Sequence, residues 1–559
     1  MPKETMKKIN KTWMAGMAAL LVMCFWHLSE VQMSVQACGD RWLTGNYLAL
    51  AVLVLGSGGL LGWHFLGGTK GREKGLEEIY PLAGLLLGLL YLFVLPPLSG
   101  PDEISHYISA YQLSSHMLGQ PANSEDGHVL VRAQDWFLED IYGDYEYELQ
   151  DGYLRKKEQE NQKEAVVLGR PLTEAVYRLI HEKFWERVSE EGQLPGEVLE
   201  KTAISPYPPV KTIPAAYIPQ AMGVSLARIL NLNSLWLVYL GRICNLLFFV
   251  AVTWLAMKRL PFGKEVLFGV AVLPMTLHLS ASFSYDVWIM AWIFYFTSCC
   301  LHLAYAADQV KGKDVAILTL VMALVGPCKM VYGVFMGLCL LIPVRKFGGW
   351  RHWLLSACCV LGAWVLAMSV VNGQTVSAYV APDTENYIVW AEETGYTLGT
   401  LLHQPYQTMR IFMNTLMWQA EQYHLTMIGA YLGNLDPVLD VPYVLVMGFT
   451  AGLLYLAFRK PGEAMVLTGG RRLWVWALCL SCTGAVMLSM LLGWTPLGSN
   501  VISGVQGRYF LPFLPVLFMS FKNDTLVLTR NGNRRVLYGM CCGAGYAALR
   551  IFGVVSMRL

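Results

Sequence analysis

The stretch Asp314-Val-Ala-Ile-Leu-Thr-Leu-Val-Met-Ala-Leu-Val-Gly-Pro-Cys-Lys-Met-Val-Tyr-Gly-Val-Phe-Met-Gly-Leu-Cys-Leu-Leu-Ile-Pro-Val344 decides how the chain is threaded. It is almost unbroken apolar sequence, longer than the roughly 17 to 25 residues that one bilayer-spanning helix needs. It reads either as one long span or as two short ones that meet at Gly326-Pro327-Cys328-Lys329. Proline cannot continue a helix, and irregular backbone at membrane depth survives only where protein or water covers it. The flanks settle the choice. Lys311 and Lys313 precede the stretch, Arg345, Lys346 and Arg351 follow it, and short loops rich in Lys and Arg stay in the cytoplasm. Both flanks lie on one side only if the segment is a hairpin, with Lys329 at its outer apex.

The same rule orders the rest of the chain. Further basic clusters are Lys3/Lys7/Lys8/Lys11, Lys70/Arg72/Lys74, Lys258/Arg259/Lys264, Arg459/Lys460/Arg471/Arg472 and Lys522/Arg530/Arg534/Arg535. All face inward together if spans run near 14–28, 43–66, 79–97, 235–257, 266–281, 287–307, 315–327, 330–344, 353–372, 441–458, 473–494, 508–520 and 536–555. That predicts an all-α polytopic transmembrane protein of thirteen spans, N-terminus cytoplasmic and C-terminus outside. Composition agrees: 55% of the 559 residues are hydrophobic and 15% charged, against about 25% charged in soluble domains. The first span, with its basic start and Val35-Gln36-Ala37 before Cys38, also reads as a cleavable signal. The retained helix is the reading kept.

A net charge of +2 points neither to nucleic acid nor to an acidic partner, but its distribution is uneven. Between Leu98 and Ser205 stand 21 of the 40 acidic residues and only 10 basic ones, so this stretch is one solvated insertion. The chain divides into three N-terminal spans (1–97), an extracytoplasmic loop (98–234), a central bundle (235–372), a second outer segment (373–440) and C-terminal spans (441–559). In the first loop Val176, Leu179, Ile180, Phe184 and Val188 recur at helical spacing. This amphipathic helix either lies along the membrane or caps the bundle, unless it packs in a small loop domain. Four prolines in Tyr207–Pro219 forbid a regular helix there and predict a stiff surface or re-entrant approach to the fourth span. Leu398 to Met417 reads as a second interfacial helix. Most of the 13 cysteines fall inside apolar runs without metal-ligand spacing, as small packing residues do; no metal site or cofactor is indicated, although a divalent ion remains compatible.

Chemistry concentrates where the third span ends, in Leu95-Pro-Pro-Leu-Ser-Gly-Pro-Asp-Glu-Ile-Ser-His-Tyr107. Proline and glycine hold Asp102 and Glu103 near the outer interface, and a short helix would set His106 one turn from Asp102 and Tyr107 one turn from Glu103. A partly desolvated carboxylate there can accept a proton from a hydroxyl; equally, acids at a helix N-terminus match its dipole. Asp286, in Ser282-Phe-Ser-Tyr-Asp286, shares that side and either positions an acceptor or caps the following helix. Arg242, Lys329 and Arg508 stand at outer helix ends, apart from the cytoplasmic clusters. Such groups are functional candidates: a guanidinium can grip a lipid phosphate bidentately and Lys329 can add a point charge. Snorkelling to headgroups is the competing explanation.

Five stretches resemble a bacterial family of multi-spanning membrane proteins, domain of unknown function twenty-one forty-two, itself similar to the GT-C glycosyltransferases. They are Pro101–Tyr111, Tyr207-Pro-Pro209, Ser282–Asp286, Gly429-Ala-Tyr-Leu-Gly-Asn-Leu-Asp436 and Gln506-Gly-Arg-Tyr-Phe-Leu-Pro512. The resemblance implies a GT-C-like helical bundle in the plasma membrane, a catalytic acid in the first large outer loop and a polyprenyl-phosphate-linked sugar donor. It makes Asp102 the base with Glu103 in support. Arg508, Lys329 and Arg242 would bind the donor phosphate, with His106, Tyr107, Asp286, Tyr509 and Tyr207 around the acceptor, a glycan or lipid. No glycine-rich phosphate cradle is present, as suits a donor arriving from the bilayer. A transporter of a lipid-linked glycan and a non-catalytic envelope scaffold are the alternatives. The transferase reading expects distant stretches to bring Asp102 and Arg508 together at the outer rim, far enough apart to admit a sugar.

Overall fold

A computed structural model of the chain describes residues 10–67, 74–136, 147–150, 153–156, 173–184, 202–380, 386–434, 436–463 and 465–558. Eight helices among them are long and apolar enough to cross a membrane: Lys11–Cys38, Trp42–Leu66, Leu76–Val94, Ser234–Arg259, Asp286–Tyr305, Trp350–Gly373, Gly469–Trp494 and Asn533–Ser556. Each coincides with an expected span. The other five expected spans fall on shorter or broken elements, for local reasons. Pro274 divides 266–281 into Lys264–Ala271 and Pro274–Ser280, and Pro512 and Pro515 divide 508–520 into a 3-10 turn at Gly507–Phe510 and a helix at Leu514–Ser520. Tyr443–Ala457 and Gly312–Val325 are short apolar helices.

The decisive segment is a hairpin. Its two ends meet, since the Val310 N–H donates to the Lys346 carbonyl at 2.9 Å. Lys346 Nζ then donates to the carbonyls of Leu303, Ala304 and Ala307 at 2.9, 3.0 and 2.7 Å, so a cation covers the carbonyl end of the Asp286–Tyr305 helix, as its dipole favours. The returning limb departs from expectation: Met330–Leu341 is a 3-10 helix. A 3-10 helix rises about 2.0 Å per residue against about 1.5 Å in an α-helix, so a short limb reaches further. Gly333 and Gly337 let Trp364 and Leu478 press against its backbone side, which holds a conformation that rarely persists for 12 residues.

The charge asymmetry of the sequence becomes a real end of the bundle. Arg259 pairs with Asp314 at 2.8 Å, Lys264 with Glu77 at 3.1 Å and Lys522 with Glu265 at 2.6 Å. Arg534 donates to the Lys74 carbonyl, and Arg471 lies 4.9 Å over the Tyr305 ring. These contacts draw the described basic clusters to one end. Lys3, Lys7, Lys8, Lys70 and Arg72 lie outside the described residues. The loops bearing Asp102, Asp286, Lys329 and Arg508 gather at the other end.

Over that second end the insertion adds parts that the sequence pattern does not announce. Strands Leu130–Arg132, Thr202–Ile204, Tyr153–Lys156 and Tyr147–Gln150 form a four-stranded sheet in this spatial order, with Leu130 opposite Ile204 and Tyr147 opposite Lys156. The amphipathic helix is Glu174–Phe184, and it caps the bundle. Tyr177 donates to the Val94 carbonyl at 2.7 Å, and His181 stacks on Trp42 at 4.4 Å; Val188 lies outside the described residues. The proline-rich stretch runs without helix to Ile213, then turns through Pro214–Tyr217 into a helix at Ile218–Ile229 that begins inside the stretch, at odds with expectation. Gly223 lets that helix meet the Leu240 carbonyl directly. The expected outer helix near 398–417 is Leu398–His403 followed by Pro405–Ile428, and Leu402, Tyr406, Met409, Met413 and Met417 form an exposed apolar stripe along it.

The hairpin makes a topological prediction. In sealed vesicles, Gly312→Cys and Arg351→Cys should react with a membrane-impermeant maleimide from the same face, and Gly498→Cys from the other. Opposite-face labelling of Gly312→Cys and Arg351→Cys would restore the single long span.

Candidate functional site

The loop Leu95–Asp102 is built on two positive backbone angles. Leu98 has φ 58° and Asp102 φ 55°, a region that side chains other than Asn, Asp and Gly avoid. Strain of this kind persists only where the surroundings over-determine it. Here the determinant is the next residue, Glu103, fully buried at the first turn of the helix Glu103–Met117. Its Oε1 accepts from Arg242 Nε at 2.9 Å and the Phe283 N–H at 3.0 Å, and its Oε2 from Arg242 Nη2 at 2.7 Å and the Gly100 N–H at 2.8 Å. Arg242, on the Ser234–Arg259 helix, also donates to the carbonyls of Leu95 and Pro96, both at 2.7 Å. One carboxylate and one guanidinium thus tie the third span, the loop, the fourth span and Ser282–Asp286 together.

This corrects two assignments. Glu103 does not face a substrate and Arg242 does not join the phosphate-binding cations, because both are sealed inside the protein and directed at each other. Tyr107 is likewise a core residue, edge-on to Tyr111 at 5.9 Å and to Phe283 at 5.5 Å. Tyr207 is partly buried against the hydrophobic core, its N–H donating to Ser205 Oγ at 3.2 Å.

The other candidates converge. Asp102 lies at the N-cap of its helix but makes no capping bond with its side chain; instead its Oδ2 accepts from Arg508 Nη2 at 2.9 Å. Asp286 bridges two cations, with Lys329 Nζ 2.7 Å from Oδ1 and Arg508 Nε 3.4 Å from Oδ2. Lys329 sits at the hairpin apex, 4.1 Å from the centre of the Tyr509 ring and 5.3 Å from that of Tyr285. His106, one turn beyond Asp102, holds the Tyr217 hydroxyl at 2.6 Å and packs on Tyr285 at 5.0 Å. The expected gap between Asp102 and Arg508 is absent: the two are in direct contact. Sequence reasoning missed Tyr217 and Tyr285 as neighbours of the site, although each lies in a stretch it had marked.

Arg508 is placed by close backbone approach. Gly507 abuts Tyr423 and Met427 of the Pro405–Ile428 helix so tightly that a Cβ would collide with main chain. Its N–H donates to Thr426 Oγ1 at 2.9 Å, and the Tyr332 hydroxyl holds the Tyr509 carbonyl at 2.8 Å. Gly429, at φ 100°, lets that same helix end directly on Met275, and the Gly433 carbonyl reaches His278 Nε2 at 3.1 Å.

The electrostatics follow from these neighbours. The surrounding protein pushes the Asp102 carboxyl upward, but Arg508, and to a lesser extent His106, hold it below the ordinary range. Burial pushes the His106 imidazole down to about 4, against the pull of Asp102 and Asp286. At neutral pH Asp102 is therefore a carboxylate and His106 uncharged. Among the described residues, the trio Cys38, Asp40 and Glu174 has ligand-like spacing. Arg178 already bridges its carboxylates at 2.8 and 2.7 Å.

A helical bundle with apolar spans, basic groups at one end and four interlocked charges at the other is a polytopic membrane protein with a polar centre at one rim. The chain belongs to the family described as Predicted membrane protein (DUF2142), which matches residues 85–517. No curated protein and no solved structure matches it.

The Glu103–Arg242 pair carries a stability prediction. Arg242→Met should cost about 3–5 kcal/mol, because it strands a buried carboxylate, and lower the unfolding midpoint in detergent micelles. Glu103→Gln added to it should recover part of the loss. An Arg242→Met protein as stable as the parent would remove the pair from its structural role.

Proposed function

We propose that this protein is a membrane glycosyltransferase that moves a sugar from a polyprenyl-phosphate-linked donor to a glycan or lipid acceptor on the extracytoplasmic side of a bacterial plasma membrane. The observation that carries it is the meeting of Asp102, Arg508, Asp286 and Lys329 from four separate stretches of chain at the end of the bundle opposite the basic clusters. Because basic loops stay cytoplasmic, that end faces outward.

The chemistry asks for a base and an anion seat within one sugar's reach. Asp102, whose side chain is 55% exposed, takes the proton of the acceptor hydroxyl. The hydroxyl oxygen attacks the anomeric carbon, the bond from that carbon to the phosphate oxygen breaks, and the phosphate leaves with the electron pair, inverting the centre. Arg508 and Lys329 receive the charge that develops on the phosphate, the kind of fixed electrostatic stabilisation that often dominates catalysis. Asp286 keeps both cations aimed, and Tyr509 and Tyr285 offer ring faces beside Lys329. Neutral His106 and Tyr217, buried and hydrogen-bonded to each other, pack behind Asp102 as support and not as groups offered to an acceptor. Glu103 and Arg242 act one layer back, by fixing the loop that presents Asp102.

Asp102→Asn should lower sugar transfer from a polyprenyl-phosphate donor in proteoliposomes by about 10²–10⁴-fold, the range a general base contributes. Unchanged turnover would refute the assigned base. The pH profile offers a second check. A base whose folded pKa is depressed stays ionised until pH falls below the ordinary carboxylate value of about 3.9. So kcat/KM, which reports the free enzyme, should be flat on its acid side down to about pH 5. It should show no inflection near 6.5, where an ordinary histidine titrates. An acid limb centred there would assign the base to an imidazole.

A further inference from the structure

The contact between Asp102 and Arg508 poses a problem for any transfer reaction, because it pairs the base with the cation meant for the leaving group. We propose that this ion pair is a latch: in the resting protein the carboxylate of Asp102 occupies the phosphate's seat on Arg508, and the donor phosphate must displace it before the base is free. The inference rests on the transferase reading and adds an order to it, donor first and acceptor second.

Three observations support displacement over a fixed bridge. The two partners differ in freedom, since the Arg508 side chain is 3% exposed and that of Asp102 55%. The guanidinium has nowhere to go, whereas the carboxylate can swing into solvent. Second, Arg508 does not depend on Asp102 for its position. Asp286 stands 3.4 Å from its Nε, Thr426 and Tyr332 hold the backbone on either side of it, and its Nη1 makes no hydrogen bond to any described residue. An anion arriving at Arg508 finds an aimed and partly unused fork, which suits phosphate oxygens. Third, Asp102 sits at φ 55° directly before the Glu103 anchor and leaves the N–H groups of its own helix uncapped by its side chain. Released from Arg508, the carboxylate keeps its place in the chain and gains an open N-terminus to face.

Charge counting fits the exchange. Asp102 and Asp286 offset Arg508 and Lys329, Glu103 and Arg242 offset each other, and His106 is neutral. Moving Asp102 aside leaves one positive charge unmatched, which a phosphodiester monoanion restores. The latch also keeps the base from activating water while no donor is present.

The probe is a farnesyl methyl phosphodiester, a permanent monoanion, titrated into the full-length protein in nanodiscs. Asp102→Asn should bind it about three- to tenfold more tightly than the parent, whereas Arg508→Gln should abolish binding. Both proteins should keep the parent's unfolding midpoint to within a few degrees. A merely structural Asp102 would give the opposite sign, with weaker binding in Asp102→Asn. Equal or weaker binding by Asp102→Asn, with the parent binding normally, overturns the latch and leaves the transferase reading standing. Failure of the parent and Asp102→Asn alike to bind the phosphodiester overturns both the latch and the transferase reading.

Discussion

A carboxylate and a guanidinium sealed from water, Glu103 and Arg242, set the geometry on which everything at the end opposite the basic clusters depends. Their pair closes around the carbonyls of Leu95 and Pro96 and the N–H groups of Gly100 and Phe283, so the loop from Leu95 to Asp102 is tied down through its own backbone. Desolvating two charges is costly, and the energy returns only with near-ideal hydrogen bonding. Every polar group in this clasp has such a partner, and the strained backbone at Leu98 is held as a consequence. The adjacent residue, Asp102, is thereby presented to solvent and to Arg508.

The gathering of basic clusters at one end of the bundle was legible in the sequence because it depends on where Lys and Arg fall, which needs no tertiary information. The hairpin at Gly326–Lys329 followed from it, and the structure closes its ends through Val310 and Lys346. The meeting of Asp102, Asp286, Lys329 and Arg508 was readable for the same reason: each follows or precedes an apolar run at the end opposite the basic clusters. Partner choice was not readable. Arg242 and Arg508 look alike in sequence, each a single arginine apart from the basic clusters, and both are buried, yet one pairs with the sealed Glu103 and the other with the half-exposed Asp102. Which carboxylate meets which guanidinium is decided by the close approach of backbones, at Gly507 against Tyr423 and Met427, and that approach has no signature in hydropathy.

Local breaks in regular structure were also hidden. Pro274 and Pro512 interrupt apolar runs that hydropathy treats as continuous, and the glycines of Met330–Leu341 permit a 3-10 limb where an α-helix was expected. The strands at 130–132, 147–150, 153–156 and 202–204 are three or four residues long, too short for a period-two pattern to stand out. Two of these irregular pieces carry site residues, since Lys329 caps the 3-10 limb and Arg508 lies in the turn before Pro512.

The central claim is that the outer charged cluster is the seat of a lipid-linked sugar phosphate. The most direct measurement is a structure of the protein in nanodiscs with a polyprenyl-phosphate sugar bound. The account predicts phosphate oxygens within hydrogen-bond distance of Arg508 and Lys329, the sugar between them and Asp102, and the Asp102–Arg508 contact broken. A bound lipid whose phosphate lies elsewhere, with that contact intact, would contradict it.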